Sequence, residues 1–141
     1  RGCSLRCTYC IYHKDMPKIL YRNVDDIISE VIYCCNKGVK LIRFTDANFC
    51  SDIDFAKKIL KNLIAHKIES TLMMEIIPGF MDEEFADLMA QYNALYQWNY
   101  ITIGIGVQSI NHPTLKLVRR GIRIAKFDQT FDLLKSKKIY D

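Results

Sequence analysis

The sequence predicts an α/β chain in which a repeated strand–helix unit forms part of a partial (β/α) barrel. Short apolar runs alternate with amphipathic helical periods from Asn23 onward, and crossovers of that length join parallel neighbours. The best-defined run, residues 100–109, has one apolar and one small, polar face. That suits a curved sheet with helices outside and an open lumen better than a sheet covered on both sides. Polar residues follow the first run at its C-terminal end, where ligands gather in such folds.

The first element is a loop, Arg1-Gly-Cys-Ser-Leu-Arg-Cys-Thr-Tyr-Cys10. Its spacing lets one short segment bring three thiolates to one centre, and thiolate is the ligand that iron–sulfur clusters take. Structural zinc and a closed cluster both use four protein ligands, whereas Cys3, Cys7 and Cys10 have no fourth cysteine nearby. A cluster held by three leaves one iron open to a substrate or cofactor. The alternatives are a partial zinc site completed by His13, and unpaired core thiols.

Residues 11–22 lack a clean period and are expected to leave the cysteines as an extended loop. Asn23 is an N-cap with Asp25 and Asp26 behind it. Val24, Ile27, Ile28, Val31, Ile32 and Cys35 then mark one helical face that stops at Gly38. Cys34 and Cys35 read as core or half-buried thiols. Val39–Phe44 is a short strand ending in the polar Thr45-Asp46-Ala47-Asn48. A helix capped at Asp52 or Asp54 runs to His66, with Lys57, Lys58 and Lys61 largely on a solvated face.

Thr71–Ile77 is the next strand, followed by a helix capped by Asp82 with Phe85, Leu88, Met89 and Tyr92 inward. Glu75 is the exception in that strand, since a carboxylate there requires an ion-pair partner or a polar cavity. In the third strand Ile101, Ile103, Ile105 and Val107 share one face, and Thr102, Gly104, Gly106 and Gln108 the other. The alternate glycines clear room for an approach to the backbone, and Gln108 at the strand end can donate and accept. Asn111-His-Pro-Thr opens a short helix closed by Arg119-Arg120-Gly121. Ile124, Phe127, Phe131 and Leu134 define a last helix, and Ile139-Tyr140 opens a further strand.

The cysteine spacing, with Tyr9 before the last cysteine and Arg1-Gly2 and Arg6 around it, resembles the signature of the radical S-adenosylmethionine superfamily. The resemblance continues in Met74-Glu-Ile-Ile-Pro-Gly79, Gly104-Ile-Gly-Val-Gln-Ser109 and Leu115-Lys-Leu-Val-Arg-Arg120-Gly, which are similar to its cobalamin-associated and coproporphyrinogen-oxidase-like branches. It implies a six-stranded partial TIM-like barrel of which the chain holds the cluster loop and about strands two to four. Residues 1–141 would then be a core domain truncated at both ends.

It also implies a 4Fe-4S cluster on Cys3, Cys7 and Cys10, and S-adenosylmethionine bound by Tyr9, Asp46, Glu75, Gln108 and Arg120. Tyr9 would lie against the adenine, Asp46 near the amino group, Gln108 at the ribose and Arg120 at the carboxylate; an amide suits a diol and a guanidinium fork a carboxylate. The implied activity is reductive cleavage to a 5'-deoxyadenosyl radical acting on a small-molecule substrate, with flavodoxin or ferredoxin as electron donor. A cobalamin domain, if used, would precede Arg1. Plainer readings are an ion pair at Glu75, a strand-end cap at Gln108 and a solvated helix end at Arg119 or Arg120. For the whole chain the rivals are an iron–sulfur or zinc module without radical chemistry, and a tRNA-modifying radical enzyme.

Composition narrows the rest. Half of the 141 residues are hydrophobic, enough for one modest core. The formal charge of +4 falls short of a nucleic-acid footprint. Neither a membrane span nor a secretory leader is visible, so a reducing, cytoplasmic setting is expected, and six cysteines in a helix-rich chain do not read as a disulfide scaffold.

Overall fold

A computed structural model describes residues 1–16, 18–97 and 100–139. Its elements are α1 (Tyr12–Asp15), α2 (Val24–Asn36), β1 (Leu41–Arg43), a 3-10 turn (Phe49–Ser51), α3 (Ile53–Ala65), β2 (Thr71–Ile76), α4 (Glu83–Asn93), β3 (Ile101–Ile105), α5 (His112–Leu117) and α6 (Ala125–Ser136).

The three strands form one parallel sheet in the order β1-β2-β3. The capping side chains set the helix starts. Asn23 accepts from the Asp25 amide at 2.8 Å, Asp52 from Phe55 at 3.0 Å, Asp82 from Phe85 at 3.0 Å and Asn111 from Thr114 at 3.0 Å. Gly38, at φ +80°, lets the chain turn out of α2 towards β1.

Register divides the sheet into two unlike faces. Ile42, Leu72 and Ile101 form one row, with Met74 beside Ile103 and Ile76 beside Ile105. This face lies under the helices, where Leu72, Met74 and Ile76 are buried against Leu60, Leu63, Phe85 and Met89. The opposite face carries Arg43, Met73 and Thr102, then Glu75 and Gly104. One face is thus a helix-covered core and the other is open and polar, as in a segment of a barrel wall.

Four expectations need correction. The loop after the cysteines contains the short helix α1, with Pro17 outside the described residues. The first strand is only Leu41–Arg43, although pairing continues by single bonds from Thr71 N to Lys40 O at 2.8 Å and Phe44 N to Met73 O at 2.9 Å. Lys57 is not on a solvated face: it is 9% exposed, and its ammonium meets Asp82 at 2.6 Å and Glu84 at 2.8 Å. The third strand stops at Ile105, short of Gln108. Of the expected further strand, Tyr140 lies outside the described residues, while Ile139 packs against the main core.

Candidate cluster and cofactor site

The cysteine loop is closed on itself and pinned to the end of the sheet. Arg1 and Leu20 exchange two backbone hydrogen bonds, at 2.6 and 2.8 Å. Gly2 sits at φ +105°, and a side chain there would begin 2.9 Å from the Lys18 carbonyl, so the crossing needs glycine. The Thr8 amide donates to the Val118 carbonyl at 3.0 Å, tying the loop to the end of α5. Cys3 and Leu5 pack on a second small core of Ile77, Leu115, Ile122 and Phe127.

All six cysteines are free thiols; Cys7 is buried and Cys3 and Cys10 are half-buried. Burial pushes the Cys3 thiol above its ordinary value. A hydrogen bond with the Leu5 backbone opposes that shift, negative charge on Cys10 and Cys7 adds to it, and Arg120 opposes it. Three sulfurs and one guanidinium therefore share one electrostatic neighbourhood. Cys34, Cys35 and Cys50 lie elsewhere: Cys35 contacts the Ser70 hydroxyl at 3.1 Å, and burial raises the Cys50 thiol strongly, which leaves it inert.

Arg120 is the centre of the arrangement. It is 7% exposed, and one terminal nitrogen reaches Cys7 Sγ at 3.7 Å and the Tyr9 hydroxyl at 3.4 Å while the other donates to the Gly106 carbonyl. Its Nε is buried without a partner. Among the described residues no carboxylate bonds to it. A buried guanidinium so placed costs several kcal/mol unless an anion arrives to balance it.

Beyond β3 the chain makes two three-residue turns, Val107 N to Ile105 O at 3.0 Å and Ser109 N to Val107 O at 2.8 Å. Gln108 is at the middle of the second, with φ +63°, a conformation that glutamine rarely adopts. Its side chain is exposed, and its amide nitrogen lies 3.5 Å from where a Cβ on Gly106 would be, with Arg120 Nη2 2.8 Å from the same point. Gly106 thus clears the space in which Gln108 and Arg120 meet. Gly104 does the same for Glu75, whose carboxylate occupies the position a side chain would take.

The other two predicted residues stand apart. Glu75 pairs with Arg43 of β1 at 3.3 Å on the open face, which is the ion pair that the plainer reading of this residue required. Asp46 is half-buried after β1 and lines a groove of about 560 Å³ with Arg1, Tyr21 and Arg43, a groove that Arg120 and Cys3, Cys7 and Cys10 do not line. Asn48 was missed as a buried clamp: it is 3% exposed, and its Oδ1 accepts from Ile77 N at 3.1 Å, fastening the chain after β1 to the end of β2. Arg43 was missed too. Its signal was a cation in one strand on the same face as a carboxylate in the next.

The family model described as the Radical SAM superfamily matches residues 1–141. The chain belongs to the radical SAM superfamily. Cytidylyl-2-hydroxyethylphosphonate methyltransferase of Streptomyces wedmorensis is 30% identical over 118 residues, 82% of this chain and 22% of that protein. Ribosomal protein uS12 methylthiotransferase RimO of Clostridium botulinum is 30% identical over 142 residues, 97% of this chain and 31% of that protein. The radical S-adenosylmethionine methyltransferase TsrM from Kitasatospora setae, solved with cobalamin and a 4Fe-4S cluster bound, superposes with a TM-score of 0.77 at 20% identity. That match covers 96% of this chain and 26% of TsrM, and at such identity it is a likeness of fold. The chain therefore spans about a fifth to a third of the length of these relatives.

A 4Fe-4S cluster and S-adenosylmethionine are the cofactors of the radical SAM family, and the residues present fit them. Three free thiols stand on one closed loop. Cys10 N donates to Cys7 O at 3.1 Å, so the last two cysteines of the motif stand on one tight turn of that loop. In a cluster each thiolate takes an iron of its own. The unbalanced Arg120 beside Cys7 suits both an anionic cluster and a carboxylate.

Proposed function

We propose that Cys3, Cys7 and Cys10 hold a 4Fe-4S cluster, and that Arg120, Gln108 and Tyr9 hold S-adenosylmethionine against its open iron. When bound, these groups would supply cleavage of the sulfonium by one electron from an external reductant, with methionine as the leaving group and the 5'-deoxyadenosyl carbon left to take a hydrogen atom from substrate. The chain's own residues bind and orient. Arg120 offers a fork of donors to the carboxylate, and Gln108, fixed by its turn, offers an amide to the ribose. Tyr9, 54% exposed beside the third cysteine, offers a ring face to the adenine.

The observation that carries this reading is the contact between Arg120 and Cys7, which brings the cysteine loop and the end of β3 to one place. Asp46 is assigned the amino group of the same cofactor from its position after β1. Glu75 is assigned the floor of the lumen, where Arg43 holds it. Residues 1–141 are read as a core domain serving a longer protein, and the names of the relatives favour methyl or methylthio transfer to a small molecule or macromolecule.

The test is anaerobic reconstitution. About four irons with sulfide are expected per chain, together with a change in the reduced-cluster spectrum on adding S-adenosylmethionine and 5'-deoxyadenosine formation with dithionite. Cys7→Ala should abolish all three. Stoichiometric zinc without sulfide after anaerobic purification would remove the enzyme reading.

A further inference from the structure

We propose that Arg120, with the Tyr9 hydroxyl beside it, tunes the cluster through the sulfur of Cys7 and makes it easier to reduce. The inference rests on the radical SAM reading above and gives Arg120 a task separate from its hold on the cofactor carboxylate. Cys7 is the most enclosed of the three ligand cysteines, at 3% exposure, and the guanidinium that faces it is itself on a side chain only 7% exposed. Arg120 Nη1 donates to Cys7 Sγ at 3.7 Å, within reach of a hydrogen bond to the large sulfur atom. The Tyr9 hydroxyl lies 3.4 Å from the same Nη1. Burial holds this phenol above its ordinary pKa; Arg120 opposes that shift, and a hydrogen bond with Cys7 adds to it. The phenol therefore stays neutral near pH 7 and keeps its proton for the sulfur. Cys3 feels the same cation, which opposes the upward push that burial gives its thiol.

The fold divides the donors of this one side chain between two tasks. Nη1 serves Cys7 and Tyr9, and Nη2 serves the Gly106 carbonyl. Nε is buried without a partner and is left for a carboxylate. Sulfur contact and carboxylate contact thus draw on different N–H groups, so the first does not have to break for the second to form.

Reduction by one electron adds one negative charge to a cluster. A cation and a neutral donor aimed at a ligand sulfur stabilise that added charge, and hydrogen bonds to the sulfurs are among the quantities that set a cluster's potential. Burial enlarges the effect, because water does not screen a contact between two groups that are each less than a tenth exposed. The electron comes from an external one-electron reductant, and the tuning itself makes and breaks no covalent bond. An Arg120 that served only to brace the loop against Gly106 would leave the potential where it was.

The experiment is an anaerobic redox titration of the cluster-loaded protein, read by the electron paramagnetic resonance of the reduced cluster. S-adenosylmethionine is left out, so that carboxylate binding plays no part in the result. Arg120→Met should lower the equilibrium constant for reduction by about tenfold, which moves the midpoint by about 59 mV to more negative values. Tyr9→Phe, which keeps the ring and loses the hydroxyl, should lower the same constant by about threefold. Arg119→Gln removes an equal charge from the exposed neighbouring position and should leave the midpoint unchanged. A lowered midpoint in Tyr9→Phe at full iron content supports the proposal even where Arg120→Met does not retain its cluster. Midpoints equal to the parent's in both variants, each holding about four irons, overturn the proposal and leave the cluster reading standing. An equal shift in Arg119→Gln overturns it as well, because general charge then accounts for the effect. Failure of the parent protein to assemble any cluster removes both readings.

Discussion

Two buried cations in this chain are treated in opposite ways. Lys57, 9% exposed, rests between Asp82 at 2.6 Å and Glu84 at 2.8 Å, and Glu84 is shared with Lys61 at 2.7 Å. Arg120, 7% exposed, has a carbonyl, a phenol and a thiol, with its Nε unpartnered. Lys57 is balanced by the fold itself, and it staples α3 to the start of α4. Among the described residues no carboxylate balances Arg120, which is the arrangement the proposed carboxylate ligand would complete.

The largest effect that would break this contrast comes from Arg120→Met. Trading an unbalanced buried charge for an apolar side chain of similar length should leave the melting temperature of the cluster-free protein unchanged or higher. Affinity of the cluster-loaded protein for S-adenosylmethionine should fall by about 100-fold, the scale of losing a charge-assisted contact in a dry site. If the variant unfolds more readily and binds S-adenosylmethionine as before, Arg120 is structural like Lys57, and the contrast disappears.

A smaller perturbation sharpens the same point from the backbone side. Gly106→Ala would set a methyl 2.8 Å from Arg120 Nη2, a contact relieved by moving the end of a flexible side chain. Stability should therefore change by less than about 1 kcal/mol. S-adenosylmethionine binding should weaken by about tenfold, because Arg120 loses its hold on the Gly106 carbonyl. Equal binding by this variant would mean that the guanidinium needs no anchoring to do its work.

These residues differ in how far the sequence revealed them. The helices were legible because their caps and their apolar faces agree, as at Asn23 with Ile28 and Val31, or Asp82 with Phe85 and Met89. Motif spacing singled out the three cysteines and Arg120, of which the structure brings Cys7 and Arg120 into contact, and the two faces of the sheet were legible through the alternation in β2 and β3. The end of β3 was not. Alternation persists through Val107 and Gln108, but two tight turns replace the strand, and no hydrophobic pattern records a positive φ at a glutamine. Lys57 was misplaced for a different reason: helical periodicity gives direction around an axis, while its burial depends on two carboxylates supplied by the next helix.

The smallest effect concerns acid, and it tests the Lys57 side of the contrast. Lys57 first and Lys61 second hold Glu84 at about 2, below its ordinary 4.5, while Asp82 and then Glu84 raise Lys57. A carboxyl lowered in the folded state stabilises it fully above about pH 4.5, and that contribution is lost as pH falls towards about 2. Lys57→Met should accordingly lower the melting temperature by a few degrees at neutral pH. The gap from the parent protein should close as the solution is taken down through that window. A gap that stays constant from neutral pH to pH about 2 would show that Lys57 acts through the packing of its aliphatic stem, and that its two carboxylates contribute nothing by charge.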